Sequence, residues 1–186
     1  VYFLLPDRFE NGDPRNDTGG VKGDRLATGF DPAHKGFFHG GDLKGVIQRL
    51  DYIQSLGATA IWLSPVFKNK VVQGPKGNES AGYHGYWVTD FTQVDPHLGT
   101  NADFKALVDA AHARGMKVYM DILINHTADV IEMAECNGYD CAYRSRADYP
   151  YSRRTADGAA ANPGFAGDAV ATAENFARLT DPDFAY

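Results

Sequence analysis

One stretch constrains the chain more than any other: Val118–His126, VYMDILINH. Val118, Tyr119, Ile122 and Ile124 make it an apolar run that suits a strand buried on both faces, and such strands belong to parallel sheets. It closes on Asp121, Asn125 and His126. Polar groups gathered at the end of a buried strand are costly in a core and useful at a rim. In α/β sheets, open or closed, the rim at the strands' C-terminal ends is where ligands sit.

Two further strands precede it. Val1–Leu5 is the first and Ala60–Leu63, wholly apolar, the second. Between them Asp42 is placed to cap a helix whose Leu43, Val46, Ile47, Leu50 and Ile53 follow helical spacing, with Gly57 to end it. Thr100, with Asp103 three residues on, opens another helix along Phe104, Leu107, Val108 and Ala111, and Gly115 stops it before a strand over Lys117–Leu123. Strand, helix, strand, helix, strand indicates parallel pairing with right-handed crossovers. Both connections leaving a strand are long (Pro6 to Gly41 and Ser64 to Gly99), and both entering one are short. That asymmetry suits a (β/α) barrel, whose βα loops build the site. An open doubly wound sheet stays in play, although no glycine-rich phosphate loop follows any strand.

Thr127 to Tyr186 breaks the alternation, so the expected division is 1–126 as the N-terminal part of a barrel and 127–186 as an irregular insertion. Its CNGYDC segment holds Cys136 and Cys141, with no nearby Cys or His to complete a zinc site. A local disulfide in an oxidising compartment and two free thiols both remain open.

Composition removes several classes. With 18 basic against 24 acidic side chains and a net charge of −6, the chain lacks the basic bias of a nucleic-acid binder. No run reaches the 18 or so apolar residues of a membrane span. The chain opens directly on VYFLL, which reads as a strand, so upstream residues are expected and the lack of a signal peptide decides nothing.

Three constellations carry chemistry. In Asn11-Gly12-Asp13-Pro14-Arg15-Asn16-Asp17, four short oxygen-bearing side chains fall within seven residues, which suits either calcium or an ordinary Asx-rich turn. Tyr83-His84-Gly85-Tyr86-Trp87 supplies rings that stack on sugars and an imidazole that can hydrogen-bond their hydroxyls, or a structural aromatic cluster. Asp121 with Asn125 and His126 suits an acid/base pair, a metal or hydroxyl recognition, and spacing alone does not choose.

Taken together, DRFENGDPRND, GGDLKGVIQRLDYIQSLGATAIWLSPVF, YHGYW and DILINH resemble, in that order, the motifs of the α-amylase family, glycoside hydrolase family thirteen. The resemblance implies a (β/α)8 TIM barrel, of which this chain holds the first three βα units, with the family's subdomain inserted after the third strand. It implies that Tyr86 is the platform stacking on the sugar at the cleavage subsite. His84 and His126 would hydrogen-bond that sugar, and Asp121 would support the motif. It implies a Ca2+ site at Asn11, Asp13, Asn16, Asp17, Gly40 and Asp42, in the form closest to the neopullulanase and cyclomaltodextrinase branch. A second calcium site of the family would join Asn125 to an Asp, but Phe176-Ala177-Arg178-Leu179 puts Arg178 there, and a cation cannot ligate calcium.

The family's nucleophile Asp, acid/base Glu and stabilising Asp lie on later strands, so no catalytic residue is assigned here and the isolated chain is expected to be inactive. The expected function is the N-terminal segment of a retaining α-glucan hydrolase acting on maltodextrin, cyclodextrin or starch. The missing C-terminal half of the barrel would be its partner, and a secreted or periplasmic location is favoured over the cytoplasm. The alternatives are an α-glucan transglycosylase of the same family, or a non-catalytic carbohydrate-binding protein if the chain is complete. A sugar-phosphate barrel enzyme would need a phosphate-cradling loop that is missing here.

Overall fold

The structure is a computed structural model that describes residues 1–124 and 126–128. Its centre is a three-stranded parallel sheet in the order β1 (Tyr2–Leu4), β2 (Ala60–Leu63), β7 (Lys117–Met120). In register, Phe3 lies beside Trp62 and Trp62 beside Tyr119, while Leu4, Leu63 and Met120 form the next row. Between β1 and β2 come the short α1 (Arg25–Thr28), then α2 (Leu43–Gln48) and α3 (Leu50–Ser55). Between β2 and β7 the chain forms β3 (Phe67–Asn69), β4 (Val72–Gln73), β5 (Ser80–Ala81), β6 (Val88–Val94) and α4 (Asn101–His112).

Helices α2, α3 and α4 cover one face of the sheet. Leu43, Val46, Leu50, Ile53, Leu107 and Ala111 pack there on Leu4, Ile61 and Leu63, all buried. Side chains alternate across a strand, so the intervening residues point the other way. Those residues are Phe3, Trp62 and Tyr119, exposed by 48%, 44% and 50%. Within the described residues the expected strand is therefore covered on its helix side only. Val118 is partly buried on the helix side, whereas Tyr119, Ile122 and Ile124 are exposed. The three described strands do not close a barrel, and among the described residues the face opposite the helices is uncovered.

The caps fall where the sequence places them. Asp42 accepts from the Gly45 N–H at 2.6 Å, and Thr100 and Asp103 form both halves of a capping box. Three elements differ from expectation. The first long helix breaks at Arg49, whose φ of −107° and ψ of 11° leave the helical region. The guanidinium there reaches Glu10 through two hydrogen bonds of 2.9 and 3.0 Å. The third strand ends at Met120 rather than Leu123; the Asp121 N–H still donates to the Leu63 carbonyl, but Leu123 pairs with nothing in the sheet. The stretch from Ser64 to Gly99, expected to be loop, contains two antiparallel pairs, β3 with β6 and β4 with β5. Of the expected insertion, only Thr127 and Ala128 are described; Cys136, Cys141 and Arg178 lie outside the described residues, as does Asn125.

Candidate functional site

The C-terminal ends of β2 and β7 position one cluster. Gly85 turns the YHGYW segment at φ 86°, and a Cβ there would collide with the Pro65 carbonyl, so only glycine lets the turn lie against the end of β2. The turn brings Tyr86 over β7. Its hydroxyl donates to Asp121 Oδ2 at 3.0 Å. Its carbonyl lies 3.2 Å from His126 Nε2, which must carry the proton because a carbonyl only accepts. Its own N–H donates to His84 Nδ1 at 3.0 Å, leaving Nε2–H as the neutral ring's free donor. The His84 and Tyr86 rings stack at 5.8 Å between centroids and 22° between planes, and Trp87 meets His84 edge-on at 4.6 Å. His84, Tyr86, Asp121 and His126 thus form one linked group, and Tyr86 keeps 37% of its surface exposed.

Electrostatics fix the protonation states. Burial, then the charge of Arg8, pushes the His84 imidazole down, so it is neutral at pH 7. Burial, then the hydrogen bond to Asp121, pushes the Tyr86 phenol up and keeps it a donor. Arg8 itself sits 3.9 Å over the Tyr83 ring and donates to the Lys35 carbonyl at 2.9 Å. The group can present a ring face, an imidazole N–H and a fixed carboxylate to a polyhydroxylated ligand. Among the described residues it holds no pair of carboxylates spaced for glycosyl transfer.

The first βα loop gathers a different set. Asp42 Oδ1 accepts from the Gly12 and Gly45 N–H groups, and Oδ2 from the Asp13 N–H and Asn16 Nδ2. Asp13 takes Arg15 Nε and Lys44 Nζ, both at 2.7 Å. The Arg15 hydrogen bond, then that of Lys44, holds its carboxyl far below the usual carboxylate range. Asn11 Nδ2 donates to Asp17 Oδ1 at 2.8 Å, and a Cβ at Gly40 would lie 2.7 and 2.8 Å from those two atoms. All six sequence-selected residues therefore converge.

Their fit to a cation divides. Burial, then the charges of Asp42 and Asp13, pushes the Asp17 carboxyl up, the strain that a cation relieves. Asn16 Oδ1 is buried with no hydrogen-bond partner. Asn16 Oδ1 and the Asp17 carboxylate thus have the chemistry that a hard cation would take. Asp13 and Asp42 instead commit their lone pairs to N–H and ammonium donors. Among the described residues no group of three His, Cys, Asp or Glu has metal-holding geometry, the carboxylates of Asp13, Asp17 and Asp42 included.

Several residues behind the site carry no local sequence signal. Asp95 and His97 are buried and paired at 2.8 Å. Asn69 is buried and accepts from the Trp87 N–H at 2.6 Å. The only hint in sequence is the Asp-Pro-His run in an otherwise apolar stretch, Val94–Leu98.

A parallel sheet with its long loops at the strand ends, and an aromatic–imidazole–carboxylate cluster there, defines a class: α/β proteins that present a polar, aromatic-floored surface at that rim. Within that class the chain belongs to the α-amylase family, since the pattern of "Alpha amylase, catalytic domain" matches residues 3–170. A catalytic domain of that family is a TIM barrel. The chain is 58% identical to an α-amylase of Streptomyces lividans over 131 residues, 70% of this chain and 14% of that protein. It is 43% identical to the periplasmic α-amylase of Escherichia coli (strain K12) over 144 residues, 73% of this chain and 20% of that one. An α-amylase from Geobacillus thermoleovorans solved in complex with acarbose is 44% identical, with a TM-score of 0.53 over 69% of this chain and 23% of its own. Neopullulanase and cyclomaltodextrin glucanotransferases are also among the relatives. The chain thus spans a fifth or less of the curated α-amylases it matches.

Proposed function

We propose that residues 1–186 belong to a retaining α-glucan hydrolase and supply one side of its sugar-binding cleft. The observation that carries this is the linked group of His84, Tyr86, Asp121 and His126 at the strand ends of an α-amylase-family chain. The half-exposed Tyr86 ring offers its face to the apolar face of a glucose unit, while its hydroxyl bond to Asp121 fixes the ring plane. Neutral His84 donates from Nε2 to a sugar hydroxyl, and His126 is aimed beside it by the Tyr86 carbonyl. Holding the sugar in one orientation is the contribution these groups make to rate. Retention requires a nucleophile and an acid/base about 5–5.5 Å apart; we assign neither within residues 1–186.

The kinship with a periplasmic α-amylase favours an exported enzyme, and no helix among the described residues is long and apolar enough to cross a membrane. A calcium ion belongs to the proposal: Asn11, Asn16, Asp17 and the Gly40 carbonyl would hold it, and Asp13 and Asp42 would join by exchanging a donor for the ion. It would tie the Asn11–Asp17 turn to the start of α2, a structural role.

The full-length enzyme is expected to release reducing sugar from maltodextrin with retained anomeric configuration, and rigorously purified residues 1–186 to release none. Inversion, or turnover by the isolated chain, would overturn the assignment. Because neopullulanase and glucanotransferases share the family, product analysis with an added acceptor sugar separates hydrolysis from transglycosylation.

A further inference from the structure

The peptide joining Tyr86 to Trp87 is held from both sides. Its carbonyl faces His126 Nε2 at 3.2 Å. Its N–H, on the opposite edge of the same plane, donates to Asn69 Oδ1 at 2.6 Å. A planar peptide held at both polar ends cannot rotate, so the direction of the Tyr86 carbonyl, and with it the seat of His126, is set by where Asn69 stands.

Asn69 is itself held on three atoms. Its Nδ2 donates to the Phe67 carbonyl at 2.6 Å and its N–H to Asp95 Oδ2 at 2.9 Å. Only 3% of its surface is exposed. It lies where the β3–β6 register slips, the kind of irregularity that re-aims side chains next to a site. Asp95 is in turn anchored. Its Oδ1 accepts from the His97 N–H at 2.9 Å and meets His97 Nδ1 at 2.8 Å, and His97 Nε2 donates to the Thr28 carbonyl at 2.7 Å. The His97 ring stacks on Phe38 at 3.9 Å and 4°. A buried, fully partnered chain therefore runs from the first βα loop to the back of the Tyr86 peptide.

We infer that Asn69 is a positioning residue for the sugar platform: its side-chain amide fixes the Tyr86–Trp87 peptide and so aims the Tyr86 ring and His126 at the sugar. An apolar side chain of that size would fill the space but leave the Trp87 N–H unpaired, and the peptide would be free to tilt. The inference rests on the proposed platform role of Tyr86, and the test separates the two.

A double-mutant cycle in the full-length enzyme reads kcat, KM and melting temperature for Asn69→Ala, Tyr86→Ala and the double variant on maltodextrin. Asn69→Ala is expected to lower kcat/KM about ten- to a hundredfold, the loss typical of a misplaced substrate-orienting group. In the Tyr86→Ala background the same change should cost clearly less, because the ring it positions is gone and only the smaller share carried through the residue-86 carbonyl and His126 remains. Asn69→Ser, which keeps an oxygen acceptor on a shorter arm, should fall between wild type and Asn69→Ala and supplies the same cycle where alanine does not fold. Equal losses in both backgrounds, or failure of both Asn69 variants to fold, would make Asn69 structural only and overturn the inference while leaving the platform reading intact. Wild-type kcat/KM for Tyr86→Ala would overturn the platform reading, and the inference with it.

Discussion

The two long βα loops solve the same problem in opposite ways. Each must leave a short parallel strand, cross the rim of the sheet and return to a helix. The first, from Pro6 to Gly41, does so with charge turned inward. Asp42 collects four donors at the start of α2, Asp7 takes the His39 and Gly40 N–H groups, and Asp13 is gripped by Arg15 and Lys44. The second, from Ser64 to Gly99, uses backbone pairing between β3 and β6 and a buried Asn69–Asp95–His97 network behind the rim, and presents Tyr86 and His84 at the rim itself. Asp7, Asp13 and Asp42 are therefore committed to holding the first loop in shape. In the second loop Tyr86 and His84 keep surface and a donor available for a ligand. The lesson is that a cluster of acids at a rim does not by itself mark the chemistry; what matters is how much of each group the fold has already used.

The sharpest way to break this contrast is at Asp42, which is wholly buried. Asp42→Ala strands two backbone N–H groups inside the loop and one at the helix cap, and we expect a loss of about 3 kcal/mol or more in unfolding free energy, read by denaturant titration. A loss under about 1 kcal/mol would place Asp42 among ordinary surface caps. Tyr86→Ala in the full-length enzyme should do the reverse. We expect kcat/KM to fall about a hundredfold, equivalent to about 2.7 kcal/mol of transition-state binding, with the melting temperature nearly unchanged. A large drop in melting temperature with wild-type turnover would move Tyr86 into the core.

Much of this was legible because it is local. The four-residue apolar run at Ala60–Leu63, the Asp42 cap and the Thr100–Asp103 box each depend on neighbours within a few residues, and each stands where its pattern puts it. Val88–Val94 escaped because its centre, Asp90 to Gln93, is polar and Phe91 is exposed, so it shows no buried alternation. The break falls at Arg49, whose side-chain partner Glu10 lies 39 residues away. Asn69 was invisible for the same reason, and the Asp95–His97 pair showed only as a local Asp-Pro-His run, since the partners that give the three their role lie 18, 26 and 69 positions off. Local rules read caps and runs, whereas a polar network exists only once the chain has folded.

Calcium gives a smaller and distinguishable effect. If an ion binds Asn11, Asn16, Asp17 and the Gly40 carbonyl in the folded state alone, saturating calcium should raise the melting temperature over chelator-treated protein, with about 2.7 kcal/mol gained at a hundredfold excess over the dissociation constant. Asp17→Asn should weaken that response while Lys105→Ala, on the far exposed surface of α4, leaves it intact. Identical melting curves with calcium and with chelator would remove the ion from the first loop.

The weakest expected signal is the pH response of His97. Burial acts to lower its imidazole and is outweighed by the hydrogen bond and charge of Asp95, so the folded state holds its proton above the ordinary value of 6.5. A raised folded value means stability that is fully present below pH 6.5 and lost as pH climbs past it through the folded value. The melting temperature should therefore decline with pH on that side, and His97→Asn should flatten the decline. An unchanged slope in His97→Asn would assign the titration elsewhere.

The central claim, that the second loop and the end of β7 form a sugar-binding surface, is met most directly by a crystal structure of the full-length enzyme with a bound, uncleaved α-glucan oligosaccharide. The account predicts a glucose ring stacked on the face of Tyr86, with hydroxyls within hydrogen-bond reach of His84 Nε2 and of His126, and the Tyr86–Asp121 bond retained. An oligosaccharide bound elsewhere, with the Tyr86 face covered by the protein's own side chains, would contradict it.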